Sequence, residues 1–416
     1  MSNIQRWKEN QMNSLPEPFR GRTDPGWTEY SIAVRLPGII QRVISENAFP
    51  KEIVDRLESL RVEIPFQPLR ELLPDGYGDW AVWNEILTHY TGQSWFETPW
   101  LVCEFYLYRR ILESIGYFNE GPFRAHDPYV FQKSEGFSAA LKPIDDLLKW
   151  IGQKRESKSE GKSILGDLFH HNLEGNRVDL SLWPVAEGKN QQDQLPENAR
   201  DFILADDSAE ALDWIFSRKI KRIDLLMDNA GFEMLSDLCM MTFLLEQGVV
   251  DQVVLHVKPY PIFVSDVIEA DFHHCIRLLK GQKKLYPALA SFGEQLERFW
   301  IESKIEIMSE GFWGLPLAFW EMDTEVEQKL SKADLIISKG DANYRRLIGD
   351  LHWSPFIPFG VVVSYLPAPL LAIRVVKSEP DVGFSENKYN HMTQSDPAGM
   401  KNGKWGTFQF WNGQTD

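Results

Sequence analysis

The chain has 416 residues, 43% of them hydrophobic and 12% aromatic, with 15 Trp and 25 Phe, a composition too apolar for a disordered segment and sufficient for one large or two moderate domains. Its formal net charge of −16 and pI near 5.1 argue against nucleic acid and anionic membranes as partners, because both would repel it.

The first residues, MSNIQRWKEN, lack an apolar signal core, and no run approaches the roughly 18 uninterrupted apolar residues of a membrane span. From Tyr30 to about Gly166, segments such as SIAVRLPGIIQRVISENAF, DWAVWNEILTHY, PWLVCEFYLYRRILESIG and FSAALKPIDDLLKWIGQ carry apolar residues at three-four spacing, which predicts a mainly helical region without strands. In WLVCEFYLYRRI, Glu104, Arg109 and Arg110 are long enough to reach a cleft between domains, but Trp100, Cys103, Tyr106, Leu107 and Ile111 follow core spacing, and the three charged residues receive no catalytic role. The polar stretches ESKSEGKS and KNQQDQLPENA read as surface loops. Between them, Asn176 and Asp179 in GNRVDLS suit either a turn or a substrate contact. The organisation changes near residue 185, giving a mainly helical domain over 1–185 and a second domain over 186–416.

From Phe202 onward strands and helices alternate, the pattern of an α/β, Rossmann-like, mostly parallel sheet with helices on both faces. Ile223 to Met227 read as a short buried strand. Asp228 and Asn229 interrupt it, and Glu233 to Leu245 resume as an amphipathic helix. Asp and Asn at such a point also serve as helix caps. Val253 to Val257 repeat the grammar, with Asp266 in the loop or just before a helix beginning near Val267. Asp334 to Ser338 repeat it again, followed by Lys339, Asp341, Asn343 and Arg345. LPAPLLAIRVV reads as a buried strand ending in Arg374 and Lys377. An irregular segment from Ser378 then leads to KWGTFQFW, an expected edge strand.

Parallel sheets expose all such strand ends on one edge, so these loops can converge although they lie far apart in sequence. Convergence of Asp228, Asn229, Asp266 and Asp341 builds an oxygen-rich pocket whose repelling carboxylates are relieved by a cation. Carboxylate and amide oxygens are hard donors suited to Mg²⁺ or Mn²⁺, with Co²⁺ or Ni²⁺ also able to bind. Zinc is disfavoured: Cys103, Cys239 and Cys275 form no CxxC pair, and His170-His171 and His273-His274 are adjacent rather than four apart. So few cysteines point to the reducing cytosol and leave the nucleus open. Lys258, Lys339, Arg345, Arg346, Arg374 and Lys377 lie in or beside the same segments, and the anion they suit best is phosphate.

DNAGFE, the downstream Ser265-Asp266, KGDANYR and RVVK occur in the order and style of the damage-control phosphatases. RLPGIIQRVI, PWLVCEFYLYRRI, GNRVDLS and GKWGTFQF extend the resemblance over most of the chain, toward the subgroup of sugar phosphate phosphatases and acidic residue methyltransferases. The resemblance implies a metal-dependent phosphatase for sugar phosphates such as fructose 1-phosphate and fructose 6-phosphate, with Mn²⁺, Co²⁺, Ni²⁺ or Mg²⁺ as cofactor. It implies Asp228, Asn229 and Asp266 as metal ligands, the first two also facing substrate. Asp341, Ala342, Asn343, Tyr344 and Arg345, with Lys377, match phosphate- and sugar-binding positions. Glu233 matches a position linked to S-adenosylmethionine. The late signature departs from the subgroup's Arg-Thr-x-Lys, reading Arg374-Val375-Val376-Lys377, and Asp-Asn-Ala-Gly replaces Asp-Asn-Ser-Gly. Asp228 and Asp341 are the candidate catalytic residues: the nucleophile is water or Asp228 itself, and Asp341 orients that water or accepts a sugar hydroxyl. Glu233, Lys339, Arg374 and Asn176 are further candidates. Two readings stand beside the phosphatase: an S-adenosylmethionine-dependent protein carboxyl methyltransferase, for which the expected glycine-rich turn is lacking, and a sugar-phosphate sensor without turnover.

Overall fold

The structure, a computed structural model, describes residues 3–11, 15–156, 160–176, 199–379 and 381–414. Its strands are β1 (Ile203–Asp206), β2 (Ile220–Leu226), β3 (Val250–His256), β4 (Ile305–Met308), β5 (Leu335–Lys339), β6 (Leu370–Val375) and β7 (Gly406–Trp411). They form one sheet in the order β1-β7-β6-β5-β2-β3-β4. Neighbours run parallel except β6 and β7, so the α/β, mostly parallel sheet expected from the alternating pattern is present. Both central strands β5 and β6 are buried along their whole length, as continuous apolar runs covered on both faces must be.

The strand period of two divides the core between two faces. Ile223, Leu225, Val253, Leu255, Ile337 and Ile373 pack against the helices Val130–Glu156, Gly161–Asn176, Phe232–Glu246, Glu269–Lys280 and Pro287–Ile301. Leu226, Ile336, Leu370 and Ala372 face the other way, onto Trp320, Leu347, Val363 and Tyr365. Before Ile203 the described residues contain helices and no strand element, only single bridging pairs. The domain boundary expected near 185 and the Asp179 segment lie outside the described residues. Among the described residues no helix is long and apolar enough to cross a membrane.

A third core gathers Leu36, Ile39, Leu57, Trp83, Trp95, Phe105 and Ile111 from the helical region. Tyr260, Ile262, Phe263 and Val264, from the loop after β3, insert into it. Each fully buried side chain of this kind contributes about 1.5–3 kcal/mol, so the middle of the loop is anchored in the helical region.

One strand corrects the sequence reading. GTFQFW is not an edge: all six residues of β7 are buried, with β6 on one side and β1 on the other. Its apparent polar face is internal, because Gln409 donates its amide to the Val382 carbonyl at 2.7 Å. The four residues of β1 are too short to advertise themselves as the cover.

Candidate functional site

The ends of β6, β5, β2 and β3 are adjacent and point the same way. Two residues past β2 comes Asp228. The helix after it begins at Phe232 with Gly231 at its N-terminus and no side-chain cap, so neither Asp228 nor Asn229 caps it. Backbone pairing instead joins Asn229 to Asp266. The Ala230 N–H donates to the Ser265 carbonyl at 2.7 Å, and the Val267 N–H to the Asp228 carbonyl at 2.8 Å. Asp266 is thus fixed against Asp228-Asn229 although Glu269, not Val267, begins its helix. The loop reaches this register through Phe263 and Val264 at φ 54° and 67°, left-handed conformations that penalise a β-branched residue. Their burial among the helical region's side chains offsets that penalty.

After β5, Gly340 takes φ +80°, and a Cβ there would lie 1.8 Å from Asp228 Oδ2. The glycine forms a cradle for the Asp228 carboxylate. Beyond it, Asn343 donates to the backbone carbonyls of Met227 at 3.1 Å and Lys339 at 2.9 Å, tying the ends of β2 and β5 together.

Asp228, Asn229, Asp266, Asp341, Ala342, Arg345 and Lys377 line one pocket, together with Trp27, Arg35, Trp100, Glu104 and Phe263. The Asn229 amide donates to Asp228 Oδ2 at 2.7 Å, and its oxygen accepts from Ser265 Oγ at 2.5 Å. Lys258 lies behind Asp266, 3.4 Å from Oδ2, and donates to Asn343 Oδ1 at 3.0 Å. Burial pushes the pKa of its ammonium down, opposed by the Asp266 charge. Asp341 accepts from Arg374 Nη1 at 3.0 Å and from Ser378 Oγ at 2.7 Å, which orients its carboxylate. Arg345 pairs with Asp350 and stacks 3.5 Å above the Trp100 ring.

Several sequence candidates sit behind the pocket wall. Tyr344 stacks on Phe359 and under the Arg374 guanidinium. Arg374 is buried and also pairs with Asp381. Arg346 turns away, donating to the carbonyls of Leu317 and Phe312. Lys339 and Glu233 are buried and bonded to each other at 2.9 Å. Asn176 is the last residue of its helix.

The helical region's contribution was not read from sequence. Trp100 and Glu104 are one helical turn apart on a helix buried almost throughout, so their place at the pocket is hidden inside a core pattern. A buried glutamate was the available signal, since such a group demands a partner, and Arg35 supplies it.

Asp228, Asn229 and Asp266 provide two carboxylates and an amide, the hard oxygen set of a Mg²⁺- or Mn²⁺-type cation, beside a glycine cradle that leaves the Asp228 carboxylate room. Among the described residues no group of three His, Cys, Asp or Glu side chains is placed to hold a metal, so such a site depends on the asparagine.

A family model described as the damage-control phosphatase ARMT1-like domain matches residues 31–392. The damage-control phosphatase ARMT1 of Rattus norvegicus is 32% identical over 389 residues, 86% of this chain and 87% of its own. That of Danio rerio is 29% identical over 439 residues, 95% of this chain and 97% of its own. A solved DUF89 family protein from Pyrococcus horikoshii aligns with 16% identity and a TM-score of 0.47, over 85% of this chain and 96% of that one.

Proposed function

The chain belongs to the damage-control phosphatases with an ARMT1-like domain, and from that premise we propose that it is a divalent-metal-dependent phosphomonoester hydrolase acting on sugar phosphates such as fructose 1-phosphate and fructose 6-phosphate. The observation that carries this reading is the meeting of Asp228, Asn229 and Asp266 with Lys377 and Arg345 in one pocket. An acidic chain holds a phosphate only where local positive charge outweighs its field, and both basic groups are at that place. In this reading Asp228, Asn229 and Asp266 hold the cation, which supplies charge that polarises a phosphoryl oxygen. Lys377 and Arg345 bind the phosphate and stabilise the charge that develops on it. Asp341, its carboxylate oriented by Arg374 and Ser378, positions a water for attack and takes its proton as the bond from phosphorus to the sugar oxygen breaks, and the departing sugar oxygen takes a proton from solvent water. The methyltransferase alternative is less well supported, since Glu233, its point of contact with S-adenosylmethionine, is buried and engaged by Lys339 and Asn229.

The test is phosphate release from fructose 1-phosphate, fructose 6-phosphate and ribose 5-phosphate after chelation and re-addition of Mg²⁺, Mn²⁺, Co²⁺ or Ni²⁺. Turnover should need the cation and fall by at least about 100-fold in Asp228→Ala, as loss of a group acting directly on the transition state does. Folded protein that turns over none of these with any cation sinks the proposal.

A further inference from the structure

We propose that Glu233, held by Lys339, is a positioning residue that fixes the orientation of the Asn229 amide and so makes its oxygen the atom presented to the cation. The inference rests on the metal-dependent reading above. Lys339, the last residue of β5, is wholly buried, and its ammonium donates to Glu233 Oε1 at 2.9 Å, Asp237 Oδ1 at 2.8 Å and the Asn172 carbonyl at 3.4 Å. Glu233 and Asp237 are one turn apart on the Phe232–Glu246 helix, so one ammonium engages both. With Oε1 held by Lys339, Glu233 turns Oε2 toward Asn229, whose Nδ2 lies 2.9 Å away.

Two contacts then distinguish the two ends of the amide. Nδ2 has two hydrogens, and both are used, one on Asp228 Oδ2 at 2.7 Å and one on Glu233 Oε2 at 2.9 Å. Oδ1 accepts from Ser265 Oγ at 2.5 Å and retains a second lone pair. Rotating the amide by half a turn would set its oxygen against two carboxylate oxygens, so the network admits one orientation. An asparagine with no such holder would present nitrogen as readily as oxygen, and nitrogen bearing two hydrogens does not bind a cation. Outer partners of this kind tune cation affinity by about 10–100-fold.

The experiment is calorimetric titration of Mn²⁺ into the full-length, chelator-treated protein, with folding checked by circular dichroism. Glu233→Gln keeps the shape, but its amide offers only one oxygen to the two donors, Lys339 and Asn229. Glu233→Asp shortens the side chain by one carbon, so its carboxylate cannot reach Lys339 and Asn229 together. Both should weaken Mn²⁺ binding by about 10–100-fold. Asp237→Asn, which touches Lys339 but not Asn229 and still offers an oxygen, should bind Mn²⁺ as the wild type does. Unchanged affinity in folded Glu233→Gln overturns the inference. So does an equal loss in Asp237→Asn, which would mark the cluster as merely structural. If Glu233→Gln does not fold, Glu233→Asp decides alone: weakened binding supports the inference and unchanged binding overturns it. Wild-type protein that binds no Mn²⁺ overturns the underlying metal-dependent reading instead, and this inference with it.

Discussion

A missing side chain does as much at this site as the ones present. Gly340 has φ +80°, and its absent Cβ is the space that Asp228 Oδ2 occupies. Gly340→Ala therefore combines two penalties: about 1–3 kcal/mol for a side chain at φ 80° and ψ 171°, a region essentially reserved for glycine, and displacement of the carboxylate. Gly248 separates them, since it has φ +63° with nothing within 4 Å of a Cβ. Thermal unfolding should show a loss in both variants, the larger in Gly340→Ala, whose new Cβ also meets the Asp228 carboxylate. Only the second should lower phosphate release by more than about tenfold, a factor equal to roughly 1.4 kcal/mol at the transition state. Equal activity in the two variants would mean that Asp228 tolerates the shift.

At the scale of elements, the segment between β3 and the Glu269–Lys280 helix links the helical region to the sheet. Ile262 is fully buried in the helical core and does not line the pocket, yet it lies four residues before Asp266. Ile262→Ala should lose about 2–5 kcal/mol of stability as a large-to-small core change. It should also weaken Mn²⁺ binding, because the loop that sets Asp266 against Asn229 loses its anchor; urea unfolding and titration read the two effects separately. Stability loss with unchanged Mn²⁺ binding would show that the backbone bonds at Ala230 and Val267 suffice to hold the loop. This coupling also explains what the sequence made legible. Asp228, Asp266 and Asp341 each follow an apolar run, and the parallel order of β5, β2 and β3 brings them to one edge. Trp27, Arg35 and Phe263 carried no signal of their own, and Trp100 and Glu104 sit inside a helical pattern that packing alone explains. The same limit hid the place of β7, whose partner β1 has four residues.

For the whole molecule, burying ionic networks on this scale links stability to pH. Asp350 is enclosed beneath the pocket, and burial pushes its carboxyl up to about 7 despite the Arg345 guanidinium bonded to it at 2.6 Å. In the unfolded chain it titrates near 3.8. The folded state therefore holds the proton more tightly, so Asp350 contributes most below pH 4. That contribution is lost as pH rises through about 7. Asp350→Asn removes the titration while keeping an oxygen for Arg345. Between about pH 4 and pH 7 the wild type should lose stability relative to this variant, by at most about 1.4 kcal/mol per pH unit. Urea midpoints at half-unit pH steps measure that difference, and parallel curves would mean that Asp350 stays ionised. The direction matters for the site as well. Arg345 reaches the pocket wall from this pair, so the ionised carboxylate that is costly to bury is also the one that holds the guanidinium over Trp100 at the pocket. Near neutral pH the fold gives up some stability to keep that charge pair in place, an exchange that a binding site explains and packing does not.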